Sequence, residues 1–460
     1  MKKYLLTILI ILLALSTKSN AQSSDLQIFG YFQGYYNYFS DFSVNLPMNP
    51  MLNSGKPVKQ FSTNAKSSFL SQQLNLFFKK DFSGELGEFT TFVNLELTSN
   101  YSSDNLWGAF NLEEAWLKYN SSDAFNVKFG TLIPTFNNLN EIKNRTPLLP
   151  YMFRPLVYET YVADIIALED FIPEQAFMQV YGKLNLSENL DFHYSAFIGN
   201  AEKSYVAQKT SGIVLPGQDT SKFKTVGGRI GLKYNTIKMG ISGTFDRDNQ
   251  NKIFNQSILN KPNYSGTYLA PLSGDLPRIR LGADLSFSVA DFVFESEFIA
   301  VKYNISDDQK KYLSTYREDI QTALVNTVGA INQISTQIKT NPADPANSVR
   351  LLQLSQLAPF AQSLSESVAE TAELGTETNK LFYYFMIGYN VNDKLQVYGM
   401  YNYLQDKFDV KTASKLELYV LGMNWSPIPS VSIKGQYTHQ KIADLGYDVD
   451  ALMFGFSVYF

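Results

Sequence analysis

Arg278 and Arg280 sit two residues apart, so on an extended strand both guanidinium groups leave the same face. Arg229 has the same parity on an earlier extended segment. Guanidinium groups stay charged at physiological pH and match carboxylate or phosphate oxygens, so such a cluster attracts anions. Glu295 and Glu297 repeat the spacing on the following segment, which offers the arginines cross-strand partners instead. A second group of charges lies within 134–172. There Lys143, Arg145 and Arg154 stand against Glu141, Glu159, Asp164, Glu169 and Asp170. Opposed arcs of charge select ions at a narrowing; taken singly, the same residues are solvated wall charges. The candidate site residues are therefore Lys143, Arg145, Arg154, Asp164, Arg229, Arg278, Arg280, Glu295 and Glu297.

Other chemistries lack their parts. The chain has 460 residues, no cysteine and two histidines. Thiolate metal sites and a cysteine nucleophile are excluded, and there is no histidine cluster for zinc or iron. His193 and His439 lie on different segments with no nucleophile motif beside them, so a serine hydrolase is disfavoured. No catalytic, cofactor or metal site is assigned. A net charge of −4 gives no basic face for nucleic acid.

The elements that must carry these residues read in period two. Phe89, Thr91, Val93, Leu95 and Leu97 share one face, while Thr90, Asn94, Glu96 and Thr98 share the other. Ile279, Leu281, Ala283, Leu285 and Phe287 likewise oppose Arg278, Arg280, Asp284 and Ser286. Such alternation marks strands with one apolar and one polar face. Seven short turns alternate with eight long polar segments, which predicts about sixteen strands. Loops sorted by length onto two rims belong to a transmembrane antiparallel β-barrel, with the apolar face on lipid and the polar face on a wet lumen. The 66 aromatic residues then acquire a place, as interfacial girdles near strand ends. Phe382, Tyr384 and Tyr398 have the opposite parity and face the lumen, either as a stacking track for sugars or packed against a loop. At lumen parity Lys128, Arg229, Lys233, Lys238, Arg278 and Arg280 balance Glu96, Glu114, Asp246, Asp284, Glu295 and Glu297.

Two segments depart from the barrel pattern. Residues 1–21 combine Lys2 and Lys3, an apolar run from Tyr4 to Leu15, and small residues before Gln22. This predicts a signal peptide cleaved near Ala21-Gln22, leaving a barrel over 22–460. Loss of three lysines takes the net charge from −4 to −7. Residues 306–378 instead carry the helical period, with Leu313, Tyr316, Ile320, Leu324, Val328, Ile331, Ile334 and Ile338 in one run. Leu351, Leu354, Leu357, Leu364 and Val368 form a second run after Asn341–Pro345. The expectation is a helical hairpin in one long external loop, acting either as a cap or partner-binding element or as a self-packed excursion.

With the barrel argued, NLEEAWLKYNSSDAFNVKFGTLIPTF within 108–160 resembles the porin family that includes the phosphate-selective porins O and P. The opening IFGYFQGYYNYF and the final FGFSVYF are similar to porins as well, the latter matching the closing-strand signature of bacterial outer-membrane proteins. The resemblance implies a porin of a Gram-negative outer membrane, in contact with lipid and assembled as a homotrimer. Small hydrophilic solutes or ions would cross it by passive diffusion, through a lumen narrowed by the inward loop at about 134–172. The 306–378 insertion departs from that family. A structural or adhesion barrel with a closed lumen is the alternative, and an outer-membrane enzyme is further off.

Overall fold

In the computed structural model, sixteen antiparallel strands close into one barrel. The structure describes residues 22–23, 25–40, 42–45, 60–63, 66–84, 87–98, 109–158, 175–200, 223–248, 276–304, 307–371, 379–407, 415–442 and 447–460. The signal-peptide expectation for 1–21 lies outside them. The strands are β1 (Gln27–Phe39), β2 (Lys66–Gly84), β3 (Gly87–Thr98), β4 (Ala109–Ser122), β5 (Phe125–Leu132), β6 (Gln175–Ser187), β7 (Leu190–Asn200) and β8 (Lys224–Tyr234). They continue as β9 (Ile237–Asp248), β10 (Leu276–Val289), β11 (Phe292–Tyr303), β12 (Asn379–Asn392), β13 (Leu395–Asp406), β14 (Lys415–Ile428), β15 (Val431–Ile442) and β16 (Tyr447–Tyr459). Each pairs with its neighbours in sequence. The ring closes where β16 meets β1, in register from Ala451 opposite Phe39 to Tyr459 opposite Tyr31. Beyond it, Phe460 and Gly30 exchange both backbone hydrogen bonds, at 2.9 and 3.1 Å. Closure leaves no free sheet edge, which a barrel in lipid requires.

Strand parity decides which side of the wall a residue meets. Leu281 on β10, Ile387 on β12 and Leu421 on β14 are 58%, 55% and 65% exposed, whereas Asn75, Arg280 and Gln436 are buried. A wall that exposes its aliphatic side chains and buries its polar ones is stable only against an apolar surrounding. Tight turns join β4 to β5, β6 to β7 and β8 to β9, and the strand ends that the longer connections join lie at the other rim. Asn235, in the β8–β9 turn, takes φ 50°, a left-handed conformation that asparagine tolerates better than most side chains.

The insertion forms two helices, α1 (Asp307–Thr340) and α2 (Asn347–Thr371). They pack through Ile320, Leu324 and Val328 against Ala361 and Leu364. Leu351, which the second helical run includes, is exposed instead. Neither helix is long and apolar enough to cross a membrane. At the hairpin turn Asp344 accepts the Ala346 N–H at 2.9 Å and pairs with Arg350 at 2.6 Å. The hydrogen bond from Ala346, then that from Arg350, hold its carboxyl below the usual range.

Candidate functional site in the barrel lumen

After β5 the chain turns inward. Leu132, Ile133 and Phe136 are buried, and the segment 133–158 threads the barrel interior, bonded to lumen-facing side chains of many strands. Thr135 N–H donates to Gln179 Oε1 on β6 at 3.0 Å. Asn137, at φ 51°, donates its N–H to Ser242 Oγ on β9 at 2.9 Å. Gly282 on β10 permits this approach, because a Cβ there would collide with the Asn137 side chain and the Phe136 ring.

Glu297 on β11 is the next anchor. Its Oε1 accepts the N–H groups of Asn138 and Leu139, each at 2.8 Å, and its Oε2 accepts the Tyr158 hydroxyl at 2.7 Å. Across the lumen, Gln73 on β2 donates to the Asn144 carbonyl at 2.6 Å and accepts from Thr146 Oγ1 at 2.9 Å. Lys434 on β15 directs its ammonium to the carbonyls of Thr146, Pro147 and Leu149, at 3.0, 2.9 and 2.5 Å. Gln436 Oε1 takes the N–H groups of Met152 and Phe153, and Asn402 Oδ1 on β13 takes that of Leu156. A buried segment without regular structure must satisfy its backbone groups with side chains. Here the barrel wall supplies them.

Apolar packing holds the same segment on one side. Tyr151, Phe153, Leu156 and Val157 bury themselves against Ile299, Phe382, Met400 and Leu418, all lumen-facing on β11–β14. Tyr151 meets Tyr398 edge to face, with ring centroids 6.4 Å apart. Burying each such side chain contributes on the order of 2 kcal/mol. Phe382, Tyr384 and Tyr398 are thus packed beneath the inward segment. Of the two readings of these three rings, packing against a loop is the one observed, and the lumen wall on this side is a core. On β14, Leu416, Leu418 and Val420 face in while Tyr419 and Leu421 face out.

On the other side, β3–β9, the lumen-facing Lys118, Lys128, Arg229, Lys233 and Lys238 keep some contact with solvent, while Glu96, Glu114 and Asp246 are buried. Lys118 on β4 and Lys128 on β5 stand directly opposite each other. Lys233 on β8 and Lys238 on β9 do the same. Lys128 lies over the Trp116 ring at 4.9 Å and 3.5 Å from Glu141. Arg229 grips Asp284 with two nitrogens, at 2.8 and 2.5 Å, and lies flat over Gly240, where a side chain would displace it.

The other sequence candidates fall in different places. Arg145 pairs with Glu114 at 2.7 Å and lies 5.7 Å from the Phe77 ring centroid. Lys143 is buried, bonded to Asn140 at 3.2 Å, and Arg154 donates to the Lys143 carbonyl at 3.1 Å. Both are therefore internal fasteners of the segment. Asp164 lies outside the described residues. Arg278 and Arg280 do not take the cross-strand partners expected of them. The register sets Glu297 opposite Asp284 and Glu295 opposite Ser286. The carboxylate the arginines meet is Asp246 on the preceding strand, with Arg278 at 2.8 and 2.7 Å and Arg280 at 2.9 Å. Glu295 accepts the Tyr384 hydroxyl at 2.5 Å.

Sequence reasoning missed Lys434, Gln436, Gln73 and Asn402. Polar residues at every second position of β15, Ser432 to Gln440, were the available signal. It also missed Glu113. A bulge on β4 between the partners of Asn94 and Leu95 lets Glu113 and Glu114 both reach the segment, at Asn144 (3.1 Å) and Arg145 (2.7 Å). Bulges re-aim side chains in this way.

No family model matches the chain, and no curated protein matches its sequence. Solved structures do match its fold. The anion-selective porin from Comamonas acidovorans superposes with a TM-score of 0.54 at 10% identity, over 95% of this chain and 100% of that one. The outer-membrane channel DcaP of Acinetobacter baumannii gives 0.51 at 11% identity, over 95% and 97%. OmpT of Vibrio cholerae, expressed in the outer membrane, gives 0.50 at 9% identity, over 95% and 99%. The fold shared with these proteins is the sixteen-stranded porin barrel.

Proposed function

We propose that this chain is a channel of a Gram-negative outer membrane, exported by a leader cut near Ala21-Gln22, through which small hydrophilic solutes diffuse passively. One observation carries the reading: the lumen is divided. The β11–β16 side is filled by the inward segment and its apolar core. Along β4–β9 the lumen-facing Lys118, Lys233 and Lys238 keep contact with solvent, while Arg229 lies over Gly231 and Gly240 and is paired with Asp284. Solute passes along this second side, narrowed by 133–158.

The same wall favours anions. Like charges directly opposite on neighbouring strands destabilise a sheet, yet Lys118–Lys128 and Lys233–Lys238 are both retained. Among the described residues lining this side, the acidic groups that touch solvent, Glu88, Glu113, Glu141 and Asp191, are fewer than the basic Lys118, Lys128, Lys183, Arg229, Lys233 and Lys238. Chloride, carboxylates and inorganic phosphate are the solutes this wall suits, and assembly as a homotrimer accords with the porin fold. This reading is of a conduit and involves no catalysis. His193 faces the lumen from β7 and His439 faces outward from β15, so the two histidines share no site. Planar-bilayer recording of the purified protein in a salt gradient tests the proposal. Discrete conductance steps with an anion-directed reversal potential support it; no conductance points to an adhesion barrel with a closed lumen.

A further inference from the structure

The solvated and the buried charges of the lumen lie at opposite ends of the barrel. Lys118, Lys128, Lys183, Arg229, Lys233 and Lys238 face the lumen and keep contact with solvent. Each lies one to five residues from Ser122, Phe125, Ser187, Tyr234 or Ile237, the strand ends at the tight-turn rim. At about 3.3 Å per residue, all six occupy roughly the last 16 Å of the wall on that side. Lys233 and Lys238 stand opposite each other at the mouth itself. Among the described residues of β3–β9 and the inward segment, the lumen-side acids that touch solvent near this rim are Glu88, Glu141 and Asp191, three against six. At the other rim the arrangement is reversed. Glu96, Asp246, Arg278, Arg280, Lys380 and Asp406 lie within four residues of the strand ends that carry the longer connections. All are buried. Asp246 holds both arginines, and Lys380 pairs with Asp406 at 3.0 Å.

We infer that the channel conducts unequally in its two directions, passing anions more readily from the tight-turn mouth towards the loop-bearing mouth than back. The inference rests on the conduit reading above and adds a direction to it. Fixed charges in contact with solvent gather mobile ions of opposite sign within a Debye length, roughly 10 Å at 0.1 M salt. Charges buried in pairs cancel and gather none. The turn-side stretch of the pore is therefore rich in anions and poor in cations, while the loop-side stretch admits both. A field that drives anions out of the turn-side stretch fills the junction with carriers, because cations arriving from the loop side are held back by the lysines. The opposite field empties the junction, because few cations cross the lysines to replace the departing anions. Current is thus larger when the turn side is negative. With the short turns on the periplasmic side, the favoured direction for an anion is outward. The pore remains passive and carries no net flux without a driving force.

The test records the full chain in planar bilayers with equal salt on both sides. The chain has no cysteine, so Gln353→Cys, at an exposed position of α2, accepts a single biotin. Fluorescent streptavidin added to either chamber then shows on which side the loop-bearing rim lies. The ratio of currents at equal and opposite voltages is expected to be about twofold in 0.01 M salt and close to unity in 1 M, as the Debye length falls from roughly 30 Å to 3 Å. Lys233→Gln/Lys238→Gln is expected to bring the dilute-salt ratio close to unity. Lys224→Gln/Lys339→Gln removes as much charge from exposed positions outside the lumen and is expected to keep it. The salt series on the wild-type lumen needs no lysine substitution and carries the test should the glutamine pair fail to fold. Conductance with a ratio of unity in dilute salt, or with the larger current at the opposite polarity, overturns the inference and leaves the conduit standing. Absence of conductance overturns both.

Discussion

Lys434 donates its ammonium to the Leu149 carbonyl at 2.5 Å, from a position on β15 where it is almost wholly buried. The same nitrogen reaches the carbonyls of Thr146 and Pro147, and the Tyr459 hydroxyl also donates to Pro147 O at 2.5 Å. One cation thus holds the end of a short 3₁₀ turn, where carbonyls converge without intrahelical partners. Lys434→Met keeps the stem and removes the donors. Hydrogen bonds to a charged group contribute about 1.5–3 kcal/mol each way of counting, so local stability of 143–153 should fall by about 2–3 kcal/mol. Hydrogen exchange of the Leu149 and Met152 amides should accelerate while the β15 amides stay protected. Unchanged exchange would show that the anchor is dispensable.

Glu297 fastens the other arm of the same segment through three donors. Glu297→Gln keeps one oxygen for Asn138 and Leu139 but presents an amide to Tyr158, whereas Glu297→Ala removes the carboxylate acceptor from all three donors. Unpaired buried donors cost about 1–3 kcal/mol each. The expected order of single-channel conductance is wild type, then Glu297→Gln, then Glu297→Ala, with current noise rising in step as the segment loosens. Identical conductance in all three would dissociate the segment from the permeation path.

Much of this was legible in the sequence, and the limits have physical causes. Period-two alternation and the sorting of loop lengths led to sixteen strands, because burial on one face and lipid on the other leave a periodic trace. The α1–α2 hairpin showed itself by its change of period. Which strand faces which across the lumen leaves no such trace. Arg278 could be placed on the polar face of β10, yet its choice of Asp246 over Glu295 depends on register, and register is not periodic. The apolar half of the lumen was hidden for another reason. On β14 both faces are apolar, one against lipid and one against Leu156 and its neighbours, so alternation fades where the inward segment is best packed.

Asp246 carries a prediction of stability rather than conduction. It lies between two guanidinium groups, all three side chains at most 1% exposed. Removing one partner of a buried ionic cluster leaves charge uncompensated and typically costs about 3–5 kcal/mol. Asp246→Asn should therefore lower the urea midpoint of the folded barrel far more than Asp344→Asn in the exposed hairpin turn. Equal midpoints would mean that solvent reaches the arginines.

The hairpin turn supplies a pH dependence. The Asp344 carboxyl lies below its usual range because Ala346 donates a hydrogen bond to it and Arg350 pairs with it. A depressed folded value means the contribution is complete above the unfolded value, about 3.9, and is lost as pH falls through the folded one. Titrating from about pH 6 to about pH 3 should move the Ala346 and Arg350 amide resonances in a single low-pH step. In Asp344→Asn that step should vanish. Its persistence would assign the titration to another group.

Lys118 and Lys128 decide between a selective wall and a merely solvated one. They are directly opposed on β4 and β5, with Trp116 under Lys128 and Glu141 at 3.5 Å. Reversing both in Lys118→Glu/Lys128→Glu exchanges two positive charges for two negative ones and leaves the strand register intact. The reversal potential in a salt gradient should shift from anion- towards cation-directed. Charges act on permeating ions over about a Debye length, roughly 10 Å at 0.1 M and 3 Å at 1 M salt. The difference between variant and wild type should therefore be large in dilute salt and small in concentrated salt. A shift independent of salt would mean the substitutions had moved the inward segment instead of the field. No shift at either concentration would place the ion path away from β4 and β5, and the anion preference of this wall would have to be abandoned.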